Sequence, residues 1–172
     1  DRLDREAMRR QVEAVVASGA HGVAALGLGT EVGKLSDRER ADVLAWATQD
    51  LAGRLPLTVT VAEQSVEAAL AVVRQAEKAG AACAVLQPPA KKGLPEDEYI
   101  GFFGAVADAA AIPIGVQNAP DYLGIGLSLD GVARMADRHP NIRILKAEGC
   151  RPASGTHSLS GDTGNLPNEE VP

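Results

Sequence analysis

A repeated switch between two hydrophobic periods constrains this chain more than any other feature. Short apolar or β-branched runs, "GVAALG" (22–27), "LTVTVA" (57–62), "ACAVLQ" (82–87), "IPIGVQ" (112–117) and "IRILK" (142–146), begin about every 30 residues, the size of one strand–helix–strand unit. Four of them have amphipathic stretches on both sides. Met8, Val12, Val15 and Val16 share one helical face, as do Val43, Leu44, Ala47 and Leu51. Val66, Leu70 and Val73 form a third face, and Tyr99, Phe102, Phe103, Val106 and Ala110 a fourth. Near-continuous apolar strands alternating with such helices predict a parallel sheet covered by helices. Two α/β architectures fit: a (β/α)8 TIM-barrel type, here incomplete, or an open doubly wound sheet. Pattern alone does not separate them.

Local signals support these elements. Ser36 with Glu39 predicts a capping box before the second helix. Ser65 caps the third and Gly80 stops it. Pro95 fits the first position of the fourth, with Glu96, Asp97 and Glu98 favouring its positive end. Ser128 or Asp130 starts a fifth, which must finish before Pro140. The regular pattern covers residues 1–149. Residues 150–172, rich in Gly, Ser, Pro and Asn, read as an irregular or disordered tail.

A chain of 172 residues with 45% hydrophobic residues can bury a core. Aromatics are only 3%, so aliphatic side chains must fill it. The net charge of −6 gives no electrostatic reason to expect nucleic acid or an anionic membrane as partner. Two cysteines do not make a disulfide framework. Cys83 reads as a small buried hydrophobe, and Cys150 lies in the tail. No apolar run is long enough to span a bilayer, so a soluble cytoplasmic protein is expected. The chain starts at Asp1 without a methionine and reads as a fragment or a processed form.

The chemistry is sought where strands end, because parallel α/β sheets carry their working residues there. Lys146 follows the run Ile142–Leu145. A desolvated amine sheds its proton more readily, and a neutral amine attacks a ketone to form a Schiff base. A rim lysine paired with Glu148 is the bland alternative. The loop "GLGTEVGKLS" (27–36) is glycine-rich and can hold a small anion on backbone N–H groups. Its glycines are spaced G-x-G-x-x-x-G, which departs from a dinucleotide fingerprint. In "VQNAPDYLG" (116–124), Gln117 is polar where the strand should be apolar, so it faces the mouth. "QPPAKKG" (87–93) reads as a rigid loop with solvated Lys91 and Lys92. His21, His139 and His157 are scattered, and no metal cluster is expected.

These pieces occur in an order that resembles the dihydrodipicolinate synthase / N-acetylneuraminate lyase family. "LDREAMRRQVEAVVASGAHGVAALG", "GLGTEVGKLSDRER", "QAEKAGAACAVLQPP", "IPIGVQNAP" and "ILKAEG" carry the resemblance, over about residues 1–149. The resemblance implies an eight-stranded barrel, usually a homotetramer or dimer. It also implies a lyase or aldolase that forms a lysine Schiff base with pyruvate or a related 2-keto acid, without metal or organic cofactor. Counted against the family, this chain runs from the first helix to the sixth strand. Lys146 matches the Schiff-base lysine.

Several matches are broken. The family's first loop reads G-T/S-T-G-E, whereas this one reads Gly27-Leu28-Gly29-Thr30-Glu31. The two hydroxyl positions that serve the keto-acid carboxylate fall on Leu28 and Gly29; Glu31 is retained. Gln117 stands at the proton-shuttle tyrosine, while Asn118 and Pro120 match. The arginine of the lysine-pathway synthases falls on Tyr122. The implied catalytic positions are therefore Lys146 and Gln117, and the implied substrate-binding positions Leu28, Gly29, Thr30, Glu31 and Asn118. Glutamine does not titrate, so the expected reaction is not that of the lysine-pathway synthase but one on another 2-keto or sugar acid. The alternatives are a non-catalytic relative that binds a small carboxylate or a partner chain, and, more remotely, a nucleotide-binding domain.

Overall fold

The computed structural model describes residues 2–148 and, by backbone alone, Leu28 and Thr156–Ser158. The elements follow in the order α1 Arg5–Ala17, β1 Val23–Ala25, α2 Asp37–Leu51, β2 Leu57–Val61, α3 Val66–Lys78, β3 Cys83–Leu86, α4 Glu96–Ala109, β4 Ile114–Asn118, α5 Pro120–Leu123, α6 Leu129–Arg138, β5 Ile142–Ala147 and β6 Thr156–Ser158. Two 3-10 turns, Leu28–Thr30 and Val32–Lys34, link β1 to α2.

The strands lie side by side in chain order, β1 to β6. The first five are parallel. Right-handed crossovers in an unbroken order put every covering helix on one face. That is the wall of a (β/α) barrel. A doubly wound sheet reverses its strand order at a switch point and carries helices on both faces, so the open-sheet alternative is set aside.

The burial pattern agrees. In β2, Leu57, Val59 and Val61 are buried under the helices, while Thr58 and Thr60 turn to the other face and are half-buried. Two apolar clusters fill the helix side. One joins Val12 of α1, Leu44 and Leu51 of α2, and Val59. The other joins Val73, Phe103, Val116 and Met135. With few aromatics, packing rests on Ala, Val, Leu and Ile, each buried side chain contributing about 1.5–3 kcal/mol for the larger ones.

The caps form as the residues predict. Ser36 and Glu39 make the capping box, with Ser36 N–H donating to Glu39 Oε2 at 2.8 Å. Ser65 caps α3, and Gly80 takes the left-handed conformation just beyond it at φ 74°. Ser128, not Asp130, caps α6. Pro95 sits one position earlier than expected, at the N-cap of α4. The short helix α5 was not signalled, because four residues carry no periodicity.

Two irregularities bear on the site. The β4–β5 register slips between Ile114 and Gly115, so Ile114 faces Ile142 but Gly115 faces Ile144. Arg143 is the extra residue of this bulge. Beyond it, Gln117 pairs with Lys146. Within the stretch expected to be an irregular tail, Thr156–Ser158 pair antiparallel with Ile144–Lys146; the rest of that stretch lies outside the described residues.

Candidate active site

Lys146 is the last residue but one of β5, at the C-terminal end of the sheet. Its Nζ is ion-paired with Glu148 Oε1, both side chains partly exposed. Gln117, at the matching level of β4, is 2% exposed, a buried polar residue after the apolar run of that strand. Its Nε2 donates to Glu148 Oε1 at 3.2 Å. Its Oε1 accepts from Gln87 Nε2 at 3.0 Å. Gln87 follows directly on β3. A string of four polar side chains thus crosses three adjacent strand ends: Gln87, Gln117, Glu148, Lys146. It also explains how a primary amide is tolerated in an apolar sheet, since both ends of Gln117 have partners.

The string could in part have been read from the chain. "AVLQ" and "IGVQ" both end an apolar run on glutamine. In the sequence, Gln87 both ends a strand run and opens the loop 87–93, and Glu148 reads as a salt-bridge partner of Lys146. Their convergence depends on the register of three strands.

The other expected site residues fall differently. Asn118 spends its side chain on the fold: Oδ1 accepts from Leu127 N–H at 2.8 Å and Nδ2 donates to Leu127 O at 3.0 Å. Thr30 turns both its N–H and its hydroxyl back to Gly27 O, at 3.0 and 2.6 Å. Glu31 adopts a left-handed backbone, φ 48°, and pairs with Lys34 at 2.5 Å on the surface. Gly29 has open space where a side chain would stand. Leu28 is described by its backbone, within the first 3-10 turn. Tyr122 is 64% exposed.

The N-terminus of α2 is closed by its own capping box, whose Ser36 is the last residue of the glycine-rich loop 27–36. A nucleotide phosphate therefore has no open helix end there. Among the described residues, no group of three or more His, Cys, Asp or Glu is arranged to hold a metal ion. A cavity of about 300 Å³ lies elsewhere, between the β1–α2 loop, the end of β2 and α3, with the Arg40–Glu63 pair at 3.1 Å in its wall. Lys146, Gln117 and Glu148 do not line it.

A lysine amine at a strand end, beside a carboxylate held by an amide, is the arrangement that comparison with known proteins can decide. Residues 1–151 match the model of the dihydrodipicolinate synthetase family. The chain belongs to that family. It is 33% identical over 149 residues to L-2-keto-3-deoxyarabonate dehydratase of Azospirillum brasilense, covering 85% of this chain and 48% of the relative. It is 30% identical over 172 residues to 4-hydroxy-tetrahydrodipicolinate synthase of Rhodopseudomonas palustris, covering 98% and 58%. Among solved structures, a prophage protein of the dihydrodipicolinic acid synthase family from E. coli K12, in complex with pyruvate, matches with a TM-score of 0.82 and 25% identity, over 89% of this chain and 51% of that one. The chain spans about half the length of the relatives it matches. Membership accounts for the sequential parallel strands as one part of the family's barrel. Among the described residues, no helix is long and apolar enough to cross a membrane.

Proposed function

We propose that Lys146 forms a Schiff base with pyruvate or a related 2-keto acid, in a lyase or aldolase-type reaction other than that of the lysine-pathway synthase. The observation that carries this reading is the placing of Glu148 Oε1 against Lys146 Nζ, with Gln117 holding the carboxylate. Gln117 stands where the resemblance expects a phenol, and an amide neither gives nor takes a proton. Glu148 is the titratable group that touches the reacting nitrogen.

The step balances through these two residues. The Glu148 carboxylate takes a proton from the Lys146 ammonium. The freed lone pair forms the C–N bond, and the carbonyl pair moves to oxygen. A proton passes from nitrogen to that oxygen to give the carbinolamine. Protonated Glu148 then delivers its proton to the hydroxyl, which leaves as water while the nitrogen lone pair closes the C=N bond. Glu148 ends as carboxylate and Lys146 as a protonated imine, which withdraws electrons from the neighbouring carbon. Gly29, with open space at its Cα, is the part of the first loop left to meet the substrate carboxylate.

The likeness to a sugar-acid dehydratase supports a 2-keto sugar acid as the substrate class. The family's oligomers support a homo-oligomer. No organic cofactor or metal enters the proposed step.

Borohydride reduction in the presence of pyruvate and a panel of 2-keto sugar acids tests this reading. Lys146 is expected to carry the reduced adduct, located by mass spectrometry of the digest. A folded sample without adduct would support the non-catalytic reading, which Gln117 favours because it cannot act as the proton shuttle.

A further inference from the structure

Gln87 lies outside the Lys146–Glu148 pair, and the proposed chemistry does not use it. It touches the site through one bond, Nε2 to Gln117 Oε1 at 3.0 Å. That bond has a direction with consequences. An ionised carboxylate only accepts, so Gln117 must present its NH2 to Glu148. Its carbonyl then faces β3, where a donor is needed. Gln87 is the side chain that supplies one.

A primary amide is close to symmetric in shape but opposite in polarity at its two ends. Without the Gln87 donor, the buried Gln117 carbonyl loses its partner and the amide is held at its Glu148 end alone. Released at that end, the Gln117 side chain is free to swing away from the Glu148 carboxylate. Among the described residues, the charged side chain that pairs with Glu148 is Lys146; β4 adds Gln117 and the Asn118 carbonyl, which accepts from Glu148 N–H at 3.0 Å.

We propose that Gln87 is a positioning residue: it anchors the carbonyl end of the Gln117 amide, so that Gln117 stays in place to donate to Glu148 and holds the carboxylate ready to accept the proton of Lys146. This rests on the Schiff-base reading above. Gln87 is half-buried at the end of β3, so replacing it leaves the strand itself intact. Its action is indirect, through a neighbouring side chain 30 residues away in sequence.

The test is the rate of Lys146 trapping by borohydride, measured across pyruvate concentrations on the full chain. Wild type, Gln87→Leu, Gln117→Leu and the double variant are compared. Gln87→Leu is expected to slow trapping by roughly threefold to tenfold, the weight of one oriented hydrogen bond. The loss is expected in the maximal trapping rate and not in the pyruvate concentration that gives half of it, because Gln87 acts on the proton transfer and touches no part of the Lys146 amine. The double variant is expected to be no slower than Gln117→Leu alone. The isosteric Gln87→Glu, which cannot donate when ionised, is expected to be slowed as well, and it carries the test should the leucine variant unfold.

Trapping on Lys146 with an unchanged maximal rate in both Gln87 variants would overturn this role and leave the Schiff-base reading standing. Strictly additive effects of the two leucine substitutions would overturn it too, since Gln87 would then not act through Gln117. A folded wild-type chain that never labels Lys146 would bring down both.

Discussion

Asn118 and the backbone of Leu127 form a closed pair of hydrogen bonds, with Leu127 N–H donating to Asn118 Oδ1 at 2.8 Å and Asn118 Nδ2 donating to Leu127 O at 3.0 Å. One side chain at the end of β4 thereby fixes the segment that runs from α5 into α6. Gly126 is part of the same fit: a Cβ there would stand 2.7 Å from Asn118 Oδ1. Asn118→Ala leaves a buried carbonyl and a buried N–H without partners. It is expected to cost about 1–3 kcal/mol of stability. Urea unfolding of the variant against wild type measures this, and an unchanged midpoint would show that water replaces the side chain.

Glu148→Gln keeps size and hydrogen bonding but removes the proton acceptor beside Lys146 Nζ. Trapping with pyruvate is expected to slow by roughly a hundredfold, the lower end of what general acid–base catalysis contributes. Thermal unfolding is expected to shift little, because the pair is partly exposed and such pairs contribute little to stability. A variant that traps at the wild-type rate would show that water carries the proton instead.

Gly104 lets α4 approach the end of α6. A Cβ at this position would lie 2.2 Å from Cε1 and Nε2 of His139. The ring has little room to yield, since its Nδ1 lies 3.0 Å from both carboxylate oxygens of Asp108. Gly104→Ala is expected to destabilise the fold by about 1–3 kcal/mol. Adding His139→Ala should return much of that loss. Denaturant unfolding of the single and double variants tests the clash directly.

Acid is expected to weaken the chain through two carboxylates. Arg5, whose Nη2 donates to Asp50 Oδ1 at 2.5 Å, holds the Asp50 carboxyl below its usual range. The backbone N–H of Ser128, 2.6 Å from Oε1, does the same for Glu96, with Ser128's hydroxyl and Arg134 adding to it. In both cases the folded value lies below the unfolded one. The stabilisation is therefore present at neutral pH and is lost as pH falls below about 4. Asp50→Asn should lower stability at neutral pH and flatten the decline in acid, read from unfolding midpoints across pH. A parallel offset at every pH would show that the charge is not the cause.

Much of the fold was legible because its signals are local. Ser36 with Glu39, Ser65 and Ser128 mark helix starts by chemistry that acts over three or four residues. The five parallel strands follow from apolar runs that no exposed segment would carry. Lys146 and Gln117 were legible as polar residues at strand ends. What escaped was whatever depends on neighbours distant in sequence. Asn118 matches a family position, yet its side chain is spent on Leu127, nine residues on. Gln87 and Glu148 gain their importance only from the register that sets three strand ends side by side. Thr30 and Glu31 were placed at the site by position in the loop, but their side chains close on Gly27 and Lys34.

The bulge at Arg143 decides on which side of the wall the amine stands. Counted in regular alternation from Ile142, which faces the helices opposite Ile114, Lys146 would fall on the helix side, level with Asn118. The extra residue inverts the count, so that Leu145 packs with the helices and Lys146 comes level with Gln117. Removing Arg143 outright would straighten the strand and leave that parity intact. Ironing out the bulge with Arg143 still present would turn the Lys146 amine into the hydrophobic layer without altering a single side chain. The side of the wall on which Lys146 stands is in that sense an odd-or-even property of the backbone, set three residues before the lysine itself.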